Sequence, residues 1–249
     1  MFRSIVKRVA AIFFLRVTVI FPCWAQRDEQ LWLEFQLSYP FGGRYLLENT
    51  TSYSTLLNPD NKWRSLAISP TFEMSLVRWL DLVSELGFAY TNQTEDASTI
   101  EIAPMVGGRF FITQGKKLDT RIVLRYQPRS LKNLETGDRT SSNRSRFRIE
   151  MFYSINGPNL FTDKLWYLFA DYEEFTVFDQ QVEERFANRR RARLGVGYRF
   201  TYKHRVDLGY TLQNARNEID GTFTGADNVI QIKYKMFLNP AKTVASSPD

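Results

Sequence analysis

The chain has 249 residues, of which 43% are hydrophobic and 15% aromatic, and its formal net charge is +6. With a mean hydropathy of −0.34, it is too polar for a helical membrane protein. After residue 25, no stretch approaches the ~20 consecutive apolar residues that a spanning helix needs. Membrane-spanning strands remain compatible with these values, because every second residue of such a strand can be polar.

Residues 1–25 have the pattern of a secretory signal peptide. Basic residues precede an apolar stretch, and Cys23 and Ala25 supply small side chains at the −3 and −1 positions of a cleavage site. An uncleaved anchor helix is the alternative. Cleavage would remove the only cysteine and four of the 33 Lys and Arg residues, which would reduce the formal charge to +2. The mature protein would therefore contain no disulfide.

Eleven extended segments follow, and most of them alternate apolar and polar residues with a period of two. In the seventh segment, Arg144, Arg146 and Arg148 fall on one face, while Phe147 and Ile149 fall on the other. The second segment is the least clear, because a run of four polar residues marks neither face. The predicted segments are residues 30–39, 44–57, 63–77, 79–92, 98–112, 117–129, 143–156, 165–176, 189–201, 204–214 and 227–239.

These strands have no obvious partner layer. An ordinary soluble sheet covers its apolar face with a second layer, but the sequence offers no long amphipathic helix for this purpose. A transmembrane β-barrel solves the problem, because its apolar faces meet lipid and its charged faces meet a watery lumen. We therefore predict an all-β fold, an antiparallel up-and-down barrel of 10 to 12 strands, with 12 favoured because bacterial barrels prefer even numbers. A β-sandwich with an aromatic core is the alternative.

The predicted organisation is a signal peptide over 1–25, a bacterial outer-membrane barrel over 26–240 and a flexible periplasmic tail over 241–249. Connections of alternating length support it: those at 113–117 and 201–204 are short and expected in the periplasm. The long, polar connections, expected outside, are 130–142, 177–188 and 215–226. Aromatic side chains near segment ends predict girdles at the headgroup level; they are Trp63, Trp79, Tyr90, Tyr126, Tyr153, Trp166, Tyr198, Phe200, Tyr210 and Tyr234.

Pro70 and Pro104 fall inside predicted strands. Proline has no backbone N–H to donate to a neighbouring strand, so we expect bulges or local breaks at these positions.

The face opposite the apolar one carries a ladder of arginines. An arginine on the lipid face costs about 2–4 kcal/mol near the bilayer midplane, so the ladder must face inward, and a one-residue slip in register would turn it outward. Carboxylates on the same face can pair with it. The predicted solute-binding residues of the lumen are Arg121, Arg125, Arg144, Arg146, Arg148, Arg189, Arg191, Arg193 and Arg199, with Glu150, Asp171 and Glu173 as ion-pair partners.

Two functions fit this interior. The first is a small porin-like channel, in which guanidinium groups offer exchangeable sites to small anionic solutes. The second is a closed structural or partner-binding barrel whose lumenal charges only pair with one another. A lipid-modifying enzyme is a third possibility, but the single histidine, His204, lies in a predicted periplasmic turn, away from outer-leaflet substrates. We therefore expect no enzymatic activity, no catalytic residue, no metal site and no cofactor.

The expected partners are outer-membrane lipid and small anionic solutes, and we expect a monomer. A basic run over 189–193 is typical of nucleic-acid binding, but here it continues into an alternating strand. Nucleic acid is therefore not an expected partner.

Several short segments resemble the domain-of-unknown-function 2490 family of outer-membrane proteins. They are the runs Asp171–Phe175, Asn188–Arg189, Leu194–Phe200 and Leu208–Tyr210, with the arginine-rich strand Arg144–Glu150. The resemblance extends over roughly residues 30–239. It implies a single-chain β-barrel and no established activity.

Overall fold

The computed structural model describes residues 28–58, 62–94, 97–179, 188–215 and 225–238, without the side chains of 188–189, 215 and 225–226. The predicted signal peptide and tail lie outside these residues. No helix within them is long and apolar enough to cross a membrane. The strands are β1 (Glu29–Phe41), β2 (Tyr45–Leu56), β3 (Arg64–Val77), β4 (Leu80–Thr94), β5 (Ala97–Thr113), β6 (Leu118–Asn133), β7 (Arg139–Ser154), β8 (Leu165–Val177), β9 (Asn188–Thr201), β10 (His204–Ala215) and β11 (Gly225–Phe237).

The described strands form one closed barrel in which each strand is antiparallel to the next, and β1 pairs with β11 to complete the ring. The predicted all-β, up-and-down barrel of 10 to 12 strands is confirmed. The preference for an even number was wrong, because the ring contains eleven strands. With an odd number, the first and last strands run in the same direction, so β1 and β11 pair in parallel over Glu29–Ser38 and Asn228–Phe237.

The two ends of the barrel differ. At the turn end, four connections are short: 42–44, 78–79, 114–117 and 202–203. The fifth, 155–164, is longer and is described below. At the loop end, the connections are 57–63, 95–96, 134–138, 178–187 and 216–224. The predicted long connection over 130–142 was wrong, because β6 continues to Asn133 and β7 already begins at Arg139. Strand β1 starts at the loop end, and β11 finishes at the turn end.

Side chains alternate between the two faces of the barrel wall. In β7, Phe147 is exposed on the outer face, whereas Glu150 is buried inside. Trp63 does not belong to the predicted aromatic girdle: it is 7% exposed and packs against Leu56. The prediction was wrong because Trp63 precedes β3 and so does not follow the alternation of that strand.

The pairing of neighbouring strands is interrupted beside Pro70 and Pro104, without a shift in register. Of the two predicted possibilities, these are local breaks rather than bulges. Proline cannot donate the missing backbone hydrogen bond.

A cluster of apolar side chains occupies part of the interior at the turn end. Leu160, from the connection 155–164, packs with Leu165, Tyr167 and Phe169. The aromatic rings lie over glycines of β9: a Cβ on Gly195 would be 2.3 Å from the Phe169 ring. This packing requires glycine and fixes the long connection against the barrel mouth.

The charged lumen as a candidate functional site

The lumen contains a cavity of about 530 Å³ that side chains from all eleven strands line. Its cationic lining residues are Arg109, Arg121, Arg125, Arg146, Arg148, Arg193, Arg205, Lys233 and Lys235. Its anionic lining residues are Glu34, Glu48, Glu73, Asp81, Glu85, Asp119, Glu150 and Asp207. Nine cations and eight carboxylates nearly balance, so their arrangement matters more than their sum.

The charges are segregated around the ring. All nine cations come from β5–β11, whereas β1–β4 contribute five carboxylates and no cation to the lining. We call the inner face of β1–β4 the acidic wall and the inner face of β5–β11 the basic wall. A solute in the cavity therefore meets opposite charges on opposite sides.

Ion pairs between adjacent strands neutralise much of the basic wall. Glu173 is 1% exposed and lies between Arg146 at 2.8 Å and Arg191 at 2.5 Å. Asp171 forms an ion pair with Arg193 at 2.6 Å. The register places Asp171 opposite Arg193 and Glu173 opposite Arg191, so these pairs form directly across neighbouring strands. Within β7, Arg148 also forms an ion pair with Glu150.

A chain of polar contacts crosses the parallel seam between β1 and β11. Arg193 donates a hydrogen bond of 2.8 Å to Gln231, and Gln231 donates one of 2.6 Å to Glu34. Lys233 forms an ion pair with Glu34 at 3.2 Å. Side chains thus join the acidic wall to the basic wall at the seam.

Two bidentate ion pairs involve arginines that the sequence-based set omitted. Arg109 donates to both carboxylate oxygens of Glu73 at 2.6 and 2.8 Å, and Arg129 donates to both of Glu101 at 2.7 Å. Bidentate contacts of this kind fix both partners in place. The sequence pattern could have placed Arg129 in the lumen, because Arg129 falls on the same face of β6 as Arg121 and Arg125.

Several lining charges have no ion pair with any described residue. On the basic wall these are Arg125 and Arg205; on the acidic wall they are Glu48, Asp81 and Glu85. They differ from Glu34 and Glu73 of the same acidic wall, both of which have cationic partners. These five side chains thus line the cavity without an opposite charge in contact among the described residues.

Towards the loop end, guanidinium groups crowd one side of the lumen. We call Arg125, Arg129, Arg144, Arg146 and Arg191 the arginine cluster. Among the described residues, Glu101 pairs with Arg129, and Glu173 pairs with Arg146 and Arg191. Arg144 donates a hydrogen bond of 2.8 Å to Gln127. Arg125, which lines the cavity, has no ion pair with any described residue.

The acidic wall carries small side chains towards the loop end. In a ring of eleven strands, β3 lies opposite β8 and β9, and so opposite Arg191 of the arginine cluster. The inner face of β2–β4 in this half carries Ser52, Ser54, Ser65, Ala67, Ser69, Gly87 and Ala89, all only partly buried. These small side chains leave space for water and solute in this half of the lumen.

The other predicted arginines occupy different surroundings. Arg121 donates a hydrogen bond of 2.8 Å to Asp119, and its guanidinium group lies beside the rings of Phe111 and Phe152. Arg199 is buried at the turn end and does not line the cavity. The side chain of Arg189 lies outside the described residues.

The role of Arg199 is visible in its contacts. It donates a hydrogen bond of 2.6 Å to the backbone oxygen of Leu160 and lies 3.6 Å from Asp163. Both partners belong to the connection 155–164. Arg199 thus holds this connection in the barrel mouth, and Phe161 of the same connection reaches the edge of the cavity.

His204, the first residue of β10, lies outside the cavity lining, and its Nδ1 is 2.7 Å from the hydroxyl oxygen of Tyr234. Among the described residues, no group of three or more His, Cys, Asp and Glu side chains could hold a metal ion.

A family model described as a protein of unknown function, DUF2490, matches residues 29–223. The chain belongs to the DUF2490 family. The resemblance that the sequence motifs indicated is thus confirmed. The match extends through β1–β10 of this DUF2490 barrel, and β11, the strand that closes it, lies beyond the matched range.

The DUF2490 barrel is also similar to a solved structure described as the NanC porin in a rhombohedral crystal form. The two chains are 14% identical with a TM-score of 0.50, and the likeness covers 81% of this chain and 90% of the other. At this identity it shows a common fold. Among curated proteins, no sequence matches the chain.

Proposed function

We propose that this DUF2490 protein is a monomeric channel of the bacterial outer membrane that passes small solutes carrying an anionic group, and that it is not an enzyme. The single observation that supports this proposal best is the arginine cluster. Its member Arg125 lines the cavity and has no ion pair with any described residue, and the small side chains of β2–β4 leave space in the same half of the lumen.

The outer face of the barrel supports the membrane location. Large apolar side chains such as Leu66, Ile68 and Val106 are 46–58% exposed there, and water would solvate them poorly. Lipid is the favourable solvent for such a belt, while the lumen contains the charges. The barrel closes within one chain, so no second copy is needed. By its short connections, the turn end belongs on the periplasmic side.

The mechanism is electrostatic attraction without tight capture. A guanidinium group that has no ion pair with a described residue, such as that of Arg125, can exchange water for a carboxylate or phosphate oxygen of a solute. Neighbouring guanidinium groups offer further sites, so a bound anion can move on instead of remaining trapped. The carboxylate of Glu173, which binds both Arg146 and Arg191, keeps those side chains from folding across the passage.

Planar-bilayer recordings under a KCl gradient test the proposal. We expect the wild-type barrel to conduct with a reversal potential that indicates anion selectivity. Arg125→Glu should shift that potential towards the value for cation selectivity. Arg125→Gln should give an intermediate value. Arg190→Glu is the matched control, because Arg190 is 61% exposed on the outer face, and it should leave the reversal potential unchanged. Absence of conductance, or cation preference that Arg125→Glu leaves unaltered, would contradict the proposal.

A closed structural barrel is the second candidate, and the dense packing of some lumenal charges favours it. Glu173 is 1% exposed and Asp227 is 0% exposed. If such contacts seal the loop end, the folded wild-type barrel will insert into bilayers without conducting. The same recordings therefore separate the two functions, provided that heat-modifiable gel mobility confirms folding.

A further inference from the structure

We propose that the preferred solute of this channel is zwitterionic, with a carboxylate and an ammonium group a few bonds apart. The inference rests on the proposed function, because it concerns the same cavity. It arises from the acidic wall, which a channel for simple anions does not need.

The first supporting feature is the juxtaposition of Arg125 and Glu85. Arg125 on β6 and Glu85 on β4 line the same cavity, and neither has an ion pair among the described residues. Strand β5 lies between them, and at the position beside Arg125 it has Gly107. A Cβ on Gly107 would lie 2.1 Å from the backbone oxygen of Leu124 and 3.0 Å from Cγ of Arg125, so the side chain of Arg125 occupies the space over this glycine. A guanidinium group and a carboxylate without ion pairs therefore lie on neighbouring parts of the cavity lining.

The second feature repeats this arrangement at the seam. Arg205 on β10 and Glu48 on β2 line the cavity on the two sides of the seam, and no described residue forms an ion pair with either. Both are held in place by neutral partners. The guanidinium of Arg205 lies 5.2 Å from the centre of the Phe237 ring, and Ser38 donates a hydrogen bond of 2.9 Å to Glu48.

These arrangements discriminate between solutes. A simple anion that approaches Arg125 is repelled by Glu85, and a simple cation that approaches Glu85 is repelled by Arg125. A zwitterion places each of its charges beside the opposite wall charge and meets neither repulsion. The cavity of about 530 Å³ is large enough for an amino-acid-sized molecule with its water.

The acidic wall is not explained by internal neutralisation alone. Glu34 and Glu73 have cationic partners at 3.2 and 2.6 Å, so this wall can recruit lysine and arginine from the basic wall. Glu48 and Glu85 line the same cavity without such partners. The ammonium group of a solute could serve as the cationic partner that Glu48 and Glu85 lack among the described residues.

Uptake into proteoliposomes tests the inference. The probes are labelled alanine, a zwitterion, and labelled lactate, an anion of nearly the same size, with KCl and valinomycin clamping the membrane potential. We expect wild-type vesicles to take up alanine several-fold faster than lactate. Glu85→Gln should abolish this preference by slowing alanine and not lactate, and Glu48→Gln should reduce it. Glu174→Gln, on the outer face, is the matched control and should behave as wild type.

The outcomes separate this inference from the proposed function. If the barrel conducts and takes up lactate, but shows no alanine preference or keeps it in both Glu85→Gln and Glu48→Gln, the zwitterion inference is overturned and the anion channel stands. If bilayers show no conductance and vesicles take up neither probe, both proposals are wrong. Loss of alanine preference in both variants, with lactate uptake retained, supports both.

Discussion

The acidic and basic walls enclose the same cavity but are built differently. The basic wall carries long side chains, most of which are immobilised by carboxylates from their own or adjacent strands, as Arg193 is by Asp171. The acidic wall carries small residues towards the loop end and carboxylates without ion pairs towards the turn end, such as Glu48 and Asp81. One wall supplies a fixed charged surface, and the other supplies space.

This difference shows how a narrow barrel can contain many arginines without filling itself. Ion pairs hold the guanidinium groups close to the wall that bears them, while Ser, Ala and Gly on the opposite wall keep the gap wide. If this explanation is right, substitutions that break the ion pairs of the basic wall should lower the stability of the barrel. Substitutions that enlarge the small side chains of the acidic wall should slow the passage of solutes.

Glu173→Gln should have the largest effect, because it removes the carboxylate that both Arg146 and Arg191 contact. Two enclosed guanidinium groups would then lack a counter-charge, which costs about 3 kcal/mol or more. Urea unfolding in lipid vesicles, followed by tryptophan fluorescence, measures the change. The control is Glu174→Gln on the outer face, whose contact with Arg190 is exposed and 4.0 Å long. A loss equal to that of the control would show that the basic wall does not depend on its pairs.

Gly195→Ala should lower stability by about 1–3 kcal/mol, because the new methyl group would overlap the Phe169 ring and the backbone oxygen of Leu208. Gly209→Ala provides the control: it lies opposite Gly195 on β10, and its nearest atom would be 3.3 Å away. Thermal unfolding of the two variants should therefore differ clearly. Equal midpoints would mean that the ring of Phe169 moves aside at little cost.

Ala67→Trp should leave stability nearly unchanged but lower single-channel conductance by about twofold or more, because a large ring would occupy the space that the small side chains of β2–β4 leave in the lumen. Ile68→Trp places the same ring at the neighbouring position on the outer face, where 46% of the native side chain is exposed. It should conduct as wild type. Equal conductance in both variants would place the passage elsewhere in the lumen.

Much of the barrel follows from the alternation of side chains. The period of two in β7 assigns Arg144 to the lumen and Phe147 to the outer face, because a slip would be costly, and the structure has this register. The pairs Asp171–Arg193 and Glu173–Arg191 are also accessible to sequence reasoning, since they join neighbouring strands in register. Alternation thus carries the information about faces and about nearest-strand pairs.

Other features depend on the whole ring and are not encoded locally. The strand number depends on how β1 meets β11, which no single segment reveals. The pair Arg109–Glu73 joins β5 to β3 across an intervening strand, so local patterns do not indicate it. Arg199 has the same period as Arg193, but its position near the turn end gives it backbone and carboxylate partners in the connection 155–164.

The odd number of strands has a topological consequence for engineering. Because β1 starts at the loop end and β11 finishes at the turn end, the first residue of β1 and the last residue of β11 lie at opposite ends of the barrel. Joining them would require a linker that spans the barrel height, roughly 30 Å for strands of this length. That linker would thread the cavity or cross the apolar exterior, so a short-linker circular permutant, feasible in an even-stranded barrel, is not available to this architecture.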